Sequence, residues 1–345
     1  MITLKSAWQR TLTASVATVA LSFGTIAQAI AVSLEGAGAS FPAPLYKRYF
    51  EEFNKDTGIS VTYDAVGSGA GIEQFIANTV DFAGTDAPPS QSQIDEMPNG
   101  VVQVPTAGGA VAVVFNVPGV SELNLPRSAV ADIFMGKITQ WNDPKIAKAN
   151  PGVNLPNLPI KPVVREDGSG TTYIFTRHLS STSPQFKTTV NVSPRPNWPG
   201  SPLEGPQNAG VASTVQQTQG AIGYVQDTFA RQNNLATARL ENLAGEFVAP
   251  TFEETSKALE SVRFYNDFRA ANLQDPERGY PIVGITWMLV KQNYDNPEKA
   301  EAVKKMVGWV MSEGQNINPN LEYTRIPQPV SSSVVEVVRQ RVAAT

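Results

Sequence analysis

Apolar residues recur along this chain with two different periods, and the two alternate. Leu45, Tyr46, Tyr49, Phe50 and Phe53 stand at i, i+3 and i+4 spacings, the mark of one buried helix face. Pro42 and Pro44 precede that stretch and Gly58 follows it, which is how helices prefer to place proline and glycine. Ile59-Ser60-Val61-Thr62-Tyr63 then alternates apolar and polar positions and predicts a strand. Ile72, Phe75 and Ile76 open a second helical face, and Ile174, Phe175 and Leu179 a third. Near-continuous apolar runs at residues 110–115, 160–164 and 282–290 suit strands covered on both sides, as in α/β sheets. Asn296-Pro297 caps a further helix with Val303, Met306, Val307 and Val310 on one face. The Pro- and Gly-rich stretch 193–210 reads as a long ordered loop. No repeat or low-complexity tract interrupts this α/β alternation.

The N-terminus departs from the pattern. Lys5 and Arg10 precede an apolar, small-residue run from Leu12 to Ile26, followed by Ala27-Gln28-Ala29. That order of charge, apolar stretch and small residues predicts a secretory signal peptide over residues 1–29. Cleavage is expected after Ala29, or after Ala31 in the overlapping Ala29-Ile30-Ala31. The chain has no cysteine, so disulfides, thiolate sites and a lipid-modified N-terminal cysteine are excluded. The expected location is the periplasm. Removal of residues 1–29 leaves 25 Lys and Arg against 31 Asp and Glu, a net charge of about −6. A net-acidic chain without a basic run is a poor partner for nucleic acid or an anionic membrane.

Candidate chemistry sits in three Ser/Thr-Gly turns, each entering a predicted helix: Gly38-Ala39-Ser40, Gly67-Ser68-Gly69 and Gly168-Ser169-Gly170-Thr171. Helix N-termini expose unpaired N–H groups at the positive end of the dipole, and Gly admits a ligand close to the main chain. These turns suit a small, oxygen-rich anion. None has the Gly-Lys-Ser/Thr or dinucleotide spacing of a nucleotide site. Arg165, two residues before Asp167 and four before Ser169, is placed to fork onto an oxyanion while Asp167 holds it from behind. Asp86, before Ala87-Pro88-Pro89, reads by spacing alone as a turn or helix cap. His178 is the single histidine and reads as a partly solvated helix residue, which leaves no Ser-His-Asp set and no metal cluster.

Residues 34–44, 78–88, Gly136-Lys137-Ile138 with Trp141, 165–171 and 220–225 together resemble the phosphate-binding proteins of bacterial high-affinity phosphate ABC transporters. The resemblance spans nearly all of the mature chain in order. It implies a two-lobed periplasmic-binding-protein fold with hinge strands and a ligand cleft between the lobes. One lobe comprises residues 32–112 and 286–345, the other 113–285. The implied ligands of inorganic phosphate are the Ser40 hydroxyl, the Phe41 N–H, Ser68, the Asp86 carboxylate, Arg165, Ser169, Gly170 and Thr171, with Asp167 pairing Arg165. The implied partners are phosphate and the permease subunits of an ABC importer, with no cofactor, no metal, no catalytic residue and a monomeric chain. Ser40 stands where Thr is common in the family, and Glu166 adds an acid beside Arg165.

An acid in an anion site has a physical use. Phosphate near neutral pH keeps a proton and sulfate does not, so a carboxylate accepts a hydrogen bond from the first and repels the second. Two other readings remain: a secreted phosphatase of the same shape, opposed by the lack of a nucleophile-base pair or metal cluster, and a sulfate binder, opposed by Asp86.

Overall fold

The computed structural model describes residues 32–344; the predicted signal peptide and both cleavage positions lie outside the described residues. Eight strands carry the main sheet: β1 (Ser33–Gly38), β2 (Ser60–Ala65), β3 (Phe82–Thr85), β4 (Val102–Phe115), β5 (Lys161–Arg165), β6 (Leu203–Gly205), β7 (Ala221–Gln226) and β8 (Val283–Val290). They lie in the order β2-β1-β3-β8-β4-β7-β5-β6, with a two-residue strand, Ala236–Thr237, paired off β4. The outer pairs run parallel, β1 with β2 and β3, β5 with β6 and β7. The centre is antiparallel, β8 with β3 and β4, and β4 with β7.

β4 ties the two halves together. Its residues 102–110 pair with β8 and residues 111–115 with β7. All of β4 is buried, and the strand begins well before the predicted 110. Pro105 sits inside this central strand, where a missing N–H is normally excluded. The register slips there: Trp287 faces Pro105 and Thr286 faces Ala107, and the resulting bulge absorbs the missing donor.

Helices cover the sheet. α1 (Ala43–Thr57) buries Leu45, Tyr46, Tyr49, Phe50 and Phe53, and Gly58 ends it with a left-handed φ of 74°. Its rings meet the sheet's own aromatics, Tyr46 edge-on to Tyr63 at 5.1 Å and Phe50 to Phe82 at 5.6 Å. Each such buried ring contributes about 1.5–3 kcal/mol. α2 (Ser68–Ile76) and α3 (Gly170–Thr182) start at the other two Gly turns. α5 (Pro297–Val310) is capped by Asn296, which accepts from the Glu298 N–H at 2.7 Å.

The 193–210 stretch corrects the sequence reading: it holds strand β6 and the first turn of α4 (Gln207–Gln217). Its Pro and Gly residues mark the short connections around those elements rather than one loop. Among the described residues, no helix is long and apolar enough to cross a membrane.

Candidate functional site

β1 ends at Gly38, where φ is +147° and an added Cβ would stand 2.1 Å from the Gly84 carbonyl oxygen. Only glycine lets β1 and β3 end this close. The chain then turns through Ser40 and Phe41 into α1, whose N-cap, Pro42, supplies no side-chain cap. Ser40 is therefore not spent on the helix. Its Oγ accepts from the Asn208 main-chain N–H at 3.1 Å and from Asn208 Nδ2 at 2.9 Å. The Phe41 ring packs edge-on to Tyr323 at 6.0 Å, and its carbonyl accepts from the Tyr323 hydroxyl at 2.6 Å.

The second turn abuts the third. Gly67 has φ +96°, and an added Cβ would lie 2.2 Å from Asp167 Oδ2; the Gly69 N–H donates to the Gly168 carbonyl at 2.9 Å. Ser68 Oγ accepts two main-chain N–H groups, from Asp86 at 3.3 Å and Gly170 at 3.1 Å. Asp86, just past β3, is 1% exposed. Its Oδ1 accepts from Thr286 Oγ1 at 2.7 Å, while Oδ2 is buried with no partner among the described residues. Burial pushes the carboxyl up to about 7, against the Thr286 hydrogen bond and the charge of Arg165. Asp86 does not cap the helix that follows; Ser90 does, accepting from the Gln93 N–H.

Arg165 closes β5, buried, and forks onto Asp167: Nε reaches Oδ1 at 2.7 Å and Nη2 reaches Oδ2. Asp167 Oδ1 also accepts the Gln207 N–H at 3.0 Å. Partial burial pushes the Asp167 carboxyl up, but the Arg165 hydrogen bonds and charge outweigh it and hold the group below the ordinary range. Arg165 Nη1 lies 3.5 Å from Thr171 Oγ1. Ser169 caps α3 by accepting from the Thr172 N–H at 3.0 Å. Tyr224, stacked on Phe175 at 4.2 Å, shares a 2.8 Å hydrogen bond with the Thr172 hydroxyl and so fixes the first turn of α3 to β7.

The structure thus brings the sequence-predicted site residues together in one cluster where three helix starts converge, buried except for the half-buried Asp167. At its centre is Gly170: an added Cβ would meet Asp86 Oδ2 and Ser68 Oγ, each at 2.5 Å. The Phe41 and Thr171 N–H groups have no protein acceptor among the described residues. One unpartnered carboxylate oxygen thus lies beside the Ser68 hydroxyl and the start of α3, an arrangement suited to an anion that carries a proton. Among the described residues, no group of three or more His, Asp or Glu side chains is placed to hold a metal.

Two members of the cluster were not foreseen. Thr286 reaches Asp86 from the bulged register of β8, and Asn208 reaches Ser40 and Thr171 from the start of α4. The single signal for Asn208 was a polar residue two positions after Pro206, at a helix start hidden in the apparent loop. His178 is buried rather than partly solvated, with Nδ1 3.1 Å from the Gln274 carbonyl. That burial pushes its pKa down to about 4, and its side chain faces residues 274–275, away from the cluster.

A model described as the PBP superfamily domain matches residues 16–313. The phosphate-binding protein PstS of Haemophilus influenzae is 37% identical over 319 residues, covering 91% of this chain and 95% of that protein. The protein of the same name from Methanocaldococcus jannaschii is 34% identical over 322 residues, covering 85% and 82%. Among solved structures, a phosphate-binding protein from Stenotrophomonas maltophilia superposes with a TM-score of 0.74 at 20% identity, over 91% of this chain and 96% of that one. A high-affinity periplasmic phosphate-binding protein solved with phosphate at pH 8.5 gives 0.73 at 22% identity, over 88% and 93%. With its mixed sheet parted at β4, this chain has their two-lobed periplasmic-binding-protein fold, and it belongs to the PstS family of phosphate-binding proteins within the PBP superfamily.

Proposed function

We propose that this protein binds inorganic phosphate in the periplasm and hands it to the membrane permease of an ABC-type importer. The observation that carries the reading is the lone acceptor in a nest of donors: Asp86 Oδ2, buried and without a partner, beside the start of α3. Monohydrogen phosphate offers one proton to that oxygen and three oxygens to everything else. Its donors are the hydroxyls of Ser40, Ser68, Ser169 and Thr171, the N–H groups of Phe41, Gly170 and Thr171, and the Arg165 guanidinium, which Asp167 steadies. The Gly170 N–H turns from Ser68 to the anion when the anion arrives. One cation and many neutral donors spread the ligand's charge without a basic cleft, consistent with a net-acidic chain.

The lobe divisions 32–112, 113–285 and 286–345 follow from the same reading. Their support is the partner change in β4 after Ala110 and the return of the chain into β8 at Val283. Export by a signal peptide cleaved after Ala29 or Ala31 yields an unlipidated monomer that acts as a carrier without cofactor or catalysis. Isothermal titration of the pure protein with phosphate, sulfate and arsenate tests the assignment. Phosphate is expected to bind far more tightly than sulfate. Equal binding of the two, or release of phosphate from a phosphomonoester by the pure protein, would overturn it.

A further inference from the structure

We infer that Asn208 is a positioning residue of the anion site, which turns the Ser40 and Thr171 hydroxyls into obligate donors by filling their acceptor positions. The inference rests on the phosphate reading and deepens it. Asn208 is fully buried at the start of α4, and every polar atom of its side chain is committed. Its Oδ1 accepts the Gln226 N–H at 2.9 Å, which settles which end of the amide is nitrogen, since a flipped amide would set two donors face to face. Nδ2 then has two protons, and they go to Ser40 Oγ at 2.9 Å and Thr171 Oγ1 at 3.2 Å.

A hydroxyl oxygen offers two acceptor positions and one proton. Ser40 Oγ receives the Asn208 main-chain N–H as well as Nδ2, so both acceptor positions are taken and its proton is directed elsewhere. Thr171 Oγ1 receives Nδ2 and, at the long limit of 3.5 Å, Arg165 Nη1, with the same result. Ser68 shows the same logic built from main chain, with the Asp86 and Gly170 N–H groups on its oxygen. No protein acceptor takes the Ser40 or Thr171 proton among the described residues. The amide thereby sets the polarity of hydroxyls from two separate turns, and leaves Asp86 as the acceptor side chain of the cluster. Without Asn208 either hydroxyl is free to rotate and present a lone pair to the anion.

A double-mutant cycle read by phosphate titration tests this. Asn208→Ala is expected to weaken phosphate by about 10- to 100-fold, the range of one or two misdirected hydrogen bonds. In a Ser40→Ala, Thr171→Val background, which has no hydroxyl to orient, the same change is expected to cost less than about threefold. Asn208→Asp serves as a second variant that keeps the shape and the Gln226 contact but turns an acceptor toward the hydroxyls. Its loss is expected to equal or exceed that of Ala; the newly buried carboxylate lowers the ligand-free melting temperature, so circular dichroism shows the variant folded before titration. Additive losses across the cycle, or wild-type affinity in either Asn208 variant, would overturn the inference while leaving phosphate binding intact. Failure of the wild-type protein to bind phosphate would instead overturn the functional reading, and this inference with it.

Discussion

At the scale of single residues, Asp86 bears the largest electrostatic burden. Its folded-state pKa of about 7 lies above the ordinary 3.8 because burial disfavours the charge. A raised value means stability is fully present below the unfolded pKa and is lost as pH rises through about 7. Urea unfolding of phosphate-free protein is expected to show wild type losing on the order of a few kcal/mol between pH 4 and pH 8 relative to Asp86→Asn. Parallel pH profiles for the two would refute it. Arg165 carries the complementary prediction. Arg165→Ala leaves Asp167 unpaired and removes the one cation, so phosphate affinity is expected to fall by about 2–5 kcal/mol in titration. Lys at this position restores part of it, because it keeps the charge but lacks the fork. Wild-type affinity in Arg165→Ala would place the guanidinium outside the site.

Among secondary-structure elements, the site is made by where three helices begin. Gly170 is the tightest point, and Gly170→Ala would press a methyl group on Asp86 and Ser68. Phosphate affinity is expected to drop by about two powers of ten, ~2.7 kcal/mol, with the far-ultraviolet circular dichroism unchanged. Gly308→Ala is the contrast: it lies in the last turn of α5 with nothing within 4 Å of an added Cβ. That change is expected to raise stability by up to about 1 kcal/mol and leave binding alone. The turns and the helices they start were legible because Gly, Ser and the i, i+3, i+4 apolar spacing are local signals. Asn208 and Thr286 were not, since long-range register brings them in, Thr286 through a bulge opposite Pro105 and Asn208 across 168 positions to Ser40. Local pattern likewise under-called β4, whose first half has Gln, Pro, Thr and Gly among its residues and is buried by its neighbours rather than by its own hydrophobicity. His178 shows the same limit, because a polar side chain beside an apolar stripe does not reveal whether another segment covers it.

For the whole molecule, the sheet is two half-sheets sharing β4, and the cluster draws on both. Ser40, Ser68 and Asp86 follow β1, β2 and β3, whereas Arg165 ends β5 and Ser169, Gly170 and Thr171 come after it. Hydrogen bonds from Gly170 to Ser68 and from Asn208, at the start of α4, to Ser40 therefore join the two half-sheets at the cluster. On the proposed reading selectivity belongs to this scale too, since a net-acidic surface does nothing to favour one anion over another and the choice would fall to the buried acceptor. The most direct test is paired titration of wild type and Asp86→Asn with phosphate and sulfate at pH 8. An amide in place of the carboxylate removes the repulsion of a fully ionised anion, so sulfate is expected to gain while phosphate falls or holds. The phosphate-to-sulfate affinity ratio should narrow by about one to three powers of ten. An unchanged ratio would contradict the account, even if both anions still bound at the three turns.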